Sequence, residues 1–185
     1  MTKTIESLRK SLIQTRKQLD EVREDKRALL WQLRGHNITR EEYDKRYQQL
    51  IQQERELVRE VEDLEFDLLL ERLKSELEAN RHITAYFRSL TRGLLHEIGT
   101  PQILGLQVKL PCNHRLDIIK YISELKKADK TRARLLASRL FDTVMEIQRI
   151  EQGTRGTREF RIVCPTCKAQ YGMTIELKAI PKATR

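Results

Sequence analysis

The stretch that decides the fold is IESLRKSLIQTRKQLDEVREDKRALLWQLR at residues 5–34, followed by GHNIT at 35–39 and by REEYDKRYQQLIQQERELVREVEDLEFDLLLERLKSELEA at 40–79. In its first part Ile5, Leu8, Leu12, Leu19, Val22, Leu29 and Leu33 recur at alternating steps of three and four once Thr15 and Lys26 are counted in register. A heptad seam has this spacing. Gly35-His36-Asn37 interrupts it with turn residues. A new helix start follows: Thr39 as N-cap, Glu42 three residues on as its capping-box partner, and Ile38 with Tyr43 as a hydrophobic staple. Tyr43, Tyr47, Leu50, Leu57, Val61, Leu64 and Leu68 then repeat the alternating step, with Glu54 as the polar entry. Two seams joined by a short turn predict an antiparallel coiled-coil hairpin with arms of about 45 Å. The polar seam residues Thr15, Lys26 and Glu54 point to specified register rather than maximal stability. Such a hairpin serves most simply as a spacer or assembly arm that meets a protein partner or a second copy of itself.

Past Leu64 the pattern widens, because Phe66, Leu69, Leu70, Leu73 and Leu77 make a second apolar face. A following helix carrying Ile83, Phe87, Leu90 and Leu94, or a second copy of the chain, is expected to cover it. The periodicity changes at Gly99-Thr100-Pro101, since proline disfavours helix at the residue before it. Leu104, Leu106, Val108 and Leu110 alternate with polar or small residues, which predicts a strand ending at Pro111. Helix is expected again over 116–152, interrupted around Asp129 and ended by Gly153-Thr154-Arg155-Gly156. The last segment reads as a hairpin, from Phe160 to Val163, through Cys164-Pro165-Thr166-Cys167, and back from Tyr171 to Leu177. The expected fold is therefore mainly α: a hairpin over 1–80, then a basic helical region over 81–185 bearing a small β element at 103–114 and 160–178.

Composition narrows the function. Of 185 residues, 34% are charged and 39% apolar, and no run approaches the roughly 18 apolar residues of a membrane span. With a polar N-terminus the reading is an unexported, cytoplasmic protein with no membrane contact. Residues 1–80 carry 16 Lys+Arg against 18 Asp+Glu, whereas residues 81–185 carry 20 against 9. The whole positive excess lies in the second half, as a contact with nucleic acid or an acidic protein would require. Lys126, Lys127, Lys130, Arg132 and Arg134 are the densest candidate contacts. No Gly-rich phosphate loop or nucleophile elbow is present, so no enzymatic role and no small-molecule substrate is expected. His36, in a turn, and His82, in a charged segment, read as solvent-exposed.

All three cysteines fall in two tight clusters, Cys112-Asn113-His114 and Cys164-Pro165-Thr166-Cys167, each at the end of an expected strand. Zinc takes four N/S ligands in a tetrahedron, and two such halves make one site. The strings Leu110-Pro111-Cys112-Asn113-His114 and Cys164-Pro165-Thr166-Cys167 resemble the C-x-H and C-P-x-C pairs of the treble-clef and RING family of zinc modules. The resemblance implies one Zn²⁺ held by Cys112, His114, Cys164 and Cys167. It extends to the metal site alone, because about 50 mostly helical residues part the two pairs and cysteines for a second zinc are absent. The family's ubiquitin- or SUMO-ligase activity is not carried over.

A second resemblance competes for the region before it. His96-Glu97-Ile98-Gly99-Thr100-Pro101 is similar to the H-box of histidine-kinase dimerisation domains, and Arg149-Ile150-Glu151-Gln152-Gly153 to the end of that domain's second helix. It implies that His96 accepts a phosphoryl group. With only 34 residues after Glu151, the donor would be another protein. The favoured expectation is a non-enzymatic zinc-binding structural or adaptor subunit of a larger assembly, contacting nucleic acid through its basic half. The alternative is a histidine phosphotransfer protein lacking its own ATP-binding domain.

Overall fold

The computed structural model describes residues 4–79, 83–89, 99–149 and 159–177. It is mostly helical and divides into two compact units, Met1–Glu71 and Arg72–Arg185.

The first unit is a helical hairpin. Helix α1 spans Ile5–Arg34 and α2 spans Arg40–Ala79. Every seam position of α1 is buried or half-buried, and every other position of that helix is exposed. Leu8 and Leu12 form a core cluster with Leu64, flanked by Val61 and Leu68. Partners in α2 fall in number as those in α1 rise, the antiparallel signature: Arg16 binds Glu65 and Thr15 binds Glu60, while Arg23 and Lys26 both reach Glu54. Lys26 and Glu54 thus satisfy each other across the helices, and Thr15 finds its partner in Glu60 beside the seam. Lys26 Nζ lies 2.6 Å and Arg23 Nε 3.0 Å from the Glu54 carboxylate. Hydrogen bonds from Lys26 and then Arg23 hold that carboxyl below its ordinary pKa.

The turn between the helices is built by local chemistry. Asn37 N–H donates to Gln32 O and His36 N–H to Leu33 O, the paired bonds of a Schellman cap. The left-handed residue is His36, at φ 55°, not the neighbouring Gly35. The capping box forms as expected: Thr39 N–H donates to the Glu42 carboxylate at 3.0 Å, and Glu42 N–H donates to Thr39 Oγ1 at 3.2 Å.

In the second unit the segment expected to continue as helix after α2 is instead β1, Ile83–Ser89. Ile83 and Phe87 stand four apart, a spacing that fits one face of a helix or of a strand. The β-branched and aromatic run Ile83, Thr84, Tyr86, Phe87 favours the strand. Leu90 and Leu94 lie outside the described residues, as do His82 and Gly153–Gly156. The widened apolar face of α2 has a different neighbour: Leu73 and Leu77 are fully buried, and Arg72 stacks over the Phe141 ring at 4.7 Å.

The remaining strands are β2, Gln102–Ile103; β3, Gln107–Lys109; β4, Arg115–Asp117; β5, Glu159–Val163; and β6, Gln170–Leu177. They make an antiparallel sheet ordered β2-β1-β6-β5 and a separate β3-β4 ribbon. The single strand expected over 104–110 is therefore interrupted, and its regular part pairs with residues read as the start of a helix. Helix α3, Ile118–Ala128, is capped by Asp117, and α4 spans Lys130–Arg149. The expected break falls at Asp129, whose N–H closes α3 on Leu125 O while its carboxylate accepts from Arg132 N–H to open α4.

Strand register sets the core. Ala85 faces Ile175, Phe87 faces Met173, and Met173 also faces Phe160, so these side chains share one sheet face. Ala133 and Ala137 on α4 are fully buried, and α4 packs against both α3 and β6. Ile118 and Ile122 bury the facing side of α3. No helix among the described residues is long and apolar enough to cross a membrane.

Candidate metal centre

Two tight turns carry the four residues. In the β3–β4 turn, Leu110 N–H donates to His114 O at 2.8 Å and Asn113 N–H to Leu110 O at 2.9 Å. Asn113 takes a left-handed φ of 64°, which asparagine tolerates better than most residues. In the β5–β6 turn, Cys164 N–H donates to Ala169 O at 2.8 Å and Lys168 N–H to Cys164 O at 3.0 Å, with Lys168 at φ 62°. Both turns curl the chain back on itself so that the residues at their corners face one volume.

The ligand atoms of Cys112, His114, Cys164 and Cys167 all lie within 4.8 Å of one another. A tetrahedral ion bound at about 2.3 Å from sulfur and about 2.0 Å from nitrogen sets an S···N edge of about 3.5 Å and an S···S edge of about 3.8 Å. Cys164 Sγ stands 3.5 Å from His114 Nδ1. That edge matches a coordination shell, with His114 presenting Nδ1, and the other ligand atoms lie within about 1 Å of such spacing. Cys164 is fully buried, Cys112 and His114 are half-buried, and Cys167 faces solvent. The four residues could hold a single metal ion, and four protein ligands would leave no open position for substrate.

The surroundings favour thiolate at Cys112. Burial pushes the Cys112 thiol up, but hydrogen bonds from the Tyr171 hydroxyl, from the backbone and side chain of His114, and from Cys167 outweigh it and hold the group at about 6. Tyr171 is correspondingly pushed up to about 12, first by its bond to Cys112 and then by burial. At Cys167 the Ala169 backbone N–H favours the thiolate, but burial and the neighbouring Cys164 and Cys112 win and raise the pKa. A cluster in which one thiol ionises easily at the expense of its neighbours is what crowded sulfur ligands give before a cation neutralises them.

Supporting contacts fix both turns. Tyr171 is buried and packs edge-on against Phe87, 6.4 Å between ring centres. The Gln102 side chain brackets Lys109, donating to its carbonyl at 2.6 Å and accepting from its N–H at 2.8 Å, which ties β2 to β3. Tyr121 Oη accepts from Val163 N–H at 3.3 Å, one residue before Cys164. Tyr171, Gln102 and Tyr121 were invisible in the sequence, where each is an ordinary polar or aromatic residue. The alternation of Tyr171 with Met173 and Ile175 marks a strand but not a hydroxyl aimed at sulfur.

No protein-family model, curated protein or solved structure matches the chain. Its function rests on the geometry of its own residues.

The other sequence-derived candidates divide. Lys126 and Lys127 occupy the last turn of α3, and Lys130, Arg132 and Arg134 the first turns of α4, so the five surround one helix junction. Lys127, Arg132 and Arg134 are exposed, while Lys126 and Lys130 are half-buried. Cations at the C-terminus of α3 oppose its dipole favourably, whereas those opening α4 do not, apart from the compensation Asp129 provides. His96 lies outside the described residues.

Proposed function

We propose that the chain is a non-enzymatic zinc-binding structural or adaptor subunit of a larger assembly. The observation that carries this reading is the convergence of Cys112, His114, Cys164 and Cys167 within 4.8 Å. Three sulfurs and one imidazole suit Zn²⁺, whose closed four-coordinate sites are structural. The knuckle formed at Cys164–Cys167 would be cross-linked to the Cys112 turn, and the binding free energy would become folding free energy. The hairpin supplies a coiled-coil arm for a protein partner or a second copy. The basic second half, with 20 Lys+Arg against 9 Asp+Glu over residues 81–185, supports contact with nucleic acid through the junction at Lys126, Lys127, Lys130, Arg132 and Arg134.

Two measurements test the two parts separately. Elemental analysis of the purified chain is expected to return one zinc per molecule, and a metal-free, fully folded protein sinks the zinc reading. A gel-shift series on a single-stranded and a double-stranded oligonucleotide is expected to show binding that weakens steeply with salt and ignores sequence. No shift at low salt removes nucleic acid and leaves the adaptor role to protein contacts.

A further inference from the structure

A cleft of about 470 Å³ opens between α3, α4 and strand β5. Its α4 wall is Arg132, Leu135, Leu136 and Arg139, a strip at helical spacing, and Arg161 comes from β5. Leu135 is 57% exposed although it belongs to this wall. Among the described residues Glu159 is the single carboxylate of the lining, and none of the four metal-site residues takes part. Among the described residues, neither Arg132, Arg139 nor Arg161 has an ion-pair partner.

Among the described residues, the strand in this cleft is an open edge. β5 is the last strand of its sheet among the described residues. Cys164 N–H donates to Ala169 O across the hairpin, and in an antiparallel ladder the groups that face the partner alternate. Residues 160, 162 and 164 therefore point their backbone at β6, and 159, 161 and 163 point theirs outward. Val163 shows the alternation directly, since its N–H reaches Tyr121 Oη on α3. The outward N–H and C=O of Arg161 and Glu159 stand beside the guanidinium-lined cleft.

We propose that this cleft binds an extended acidic peptide that adds to β5 as a further strand, its carboxylates meeting Arg132, Arg139 and Arg161 and its alternate apolar side chains resting on Leu125, Leu135 and Leu136. Backbone pairing supplies affinity in such a mode, and the pockets for alternate side chains supply specificity. A single-stranded nucleic acid fits less well, because it stacks bases on open aromatic faces. Here Phe160 is 3% exposed and the Tyr121 hydroxyl is committed to Val163. This inference stands independently of the metal reading and shares Arg132 alone with the nucleic-acid junction.

The test uses the full chain and a fluorescent eight-residue peptide alternating glutamate and valine, followed by anisotropy. Saturable binding is expected, weakened at least about tenfold when Arg139→Glu and Arg161→Glu are combined. The same peptide with N-methyl groups on alternate amides is expected to lose at least about tenfold against the unaltered protein, which separates strand addition from charge alone and does not depend on the variant folding. Three results each overturn the proposal: no saturation up to about 1 mM peptide, equal affinity for the methylated peptide, or equal affinity in an Arg139→Glu/Arg161→Glu protein whose circular dichroism is unchanged.

Discussion

The helical hairpin and the unit that carries the Cys/His cluster bury their apolar residues by opposite means. In the hairpin the interactions that form the helices lie within four residues in sequence, and the seam repeats the same pairing along each arm. In the second unit β1 finds its partner almost at the other end of the chain, Ile83 against Leu177, and β2, β3 and β4 are two or three residues long. Strands so short cannot hold themselves down. One unit is stabilised by repetition, the other by convergence, and a four-ligand cluster is an efficient way to lock convergence.

The sharpest way to break this comparison is to deprive the Cys/His cluster of the proposed metal. Structural zinc sites contribute apparent binding free energies of roughly 10–16 kcal/mol in small peptides, far more than any single packing contact. A strong chelator, or Cys164→Ser, is expected to abolish protection of the β3–β4 and β5–β6 turns in hydrogen exchange while residues 5–34 stay protected. Equal protection of both turns before and after chelation would mean that the second unit holds itself together by packing.

The converse experiment strikes the hairpin. Leu8 is 1% exposed in the cluster with Leu12 and Leu64. Leu8→Ala is expected to cost about 2–4 kcal/mol by leaving a cavity. Urea unfolding followed by exchange should locate that loss in α1 and α2, with the metal content unchanged. A fall in bound metal would show that the units are not independent.

Acid should part the units in order. Metal ligands must be deprotonated to bind, so the second unit is expected to release its metal first as pH falls. The hairpin loses the contribution of Glu54 later. Its folded pKa is depressed by Lys26 and Arg23, so this contribution is complete above the ordinary value of 4.5 and disappears as pH drops through the lower folded value. Glu54→Gln should flatten the acid limb of the hairpin's melting curve and leave the metal-release pH where it was. An unchanged limb would show that the cross-helix cluster adds nothing to stability.

The smallest expected effect is at the turn. His36 occupies a left-handed conformation that glycine adopts without a Cβ penalty. His36→Gly is expected to stabilise the hairpin by about 0.5–1 kcal/mol, read as a rise in the midpoint of its helical signal. A loss would mean that the imidazole makes a contact worth more than the strain.

These contrasts also separate what could be read early from what could not. The seams, the capping box at Thr39 and Glu42, the break at Asp129 and the terminal hairpin were legible because each depends on residues no more than a few positions apart. The segment at Ile83–Ser89 misled because a spacing of four suits both a helix face and a strand face, and only the strand at Tyr171–Ile175, far along the chain, selects between them. The left-handed residue at the turn fell on His36 because the helix end, not glycine preference, fixes which residue closes the Schellman bonds.

By itself the sequence determined two helices and their partnership, the position of the positive charge, and the chemical identity of four N/S ligands in two pairs. Local hydrogen bonding and hydrophobic periodicity act over a turn or two, so they are written in adjacent residues. That the Cys112 turn and the Cys164 turn meet, that Tyr171 aims its hydroxyl at Cys112, and that β5 leaves an outward edge beside three arginines were decided only by the tertiary structure. Each depends on strand register across dozens of intervening residues, and register is a property of the assembled sheet that no short stretch of chain contains.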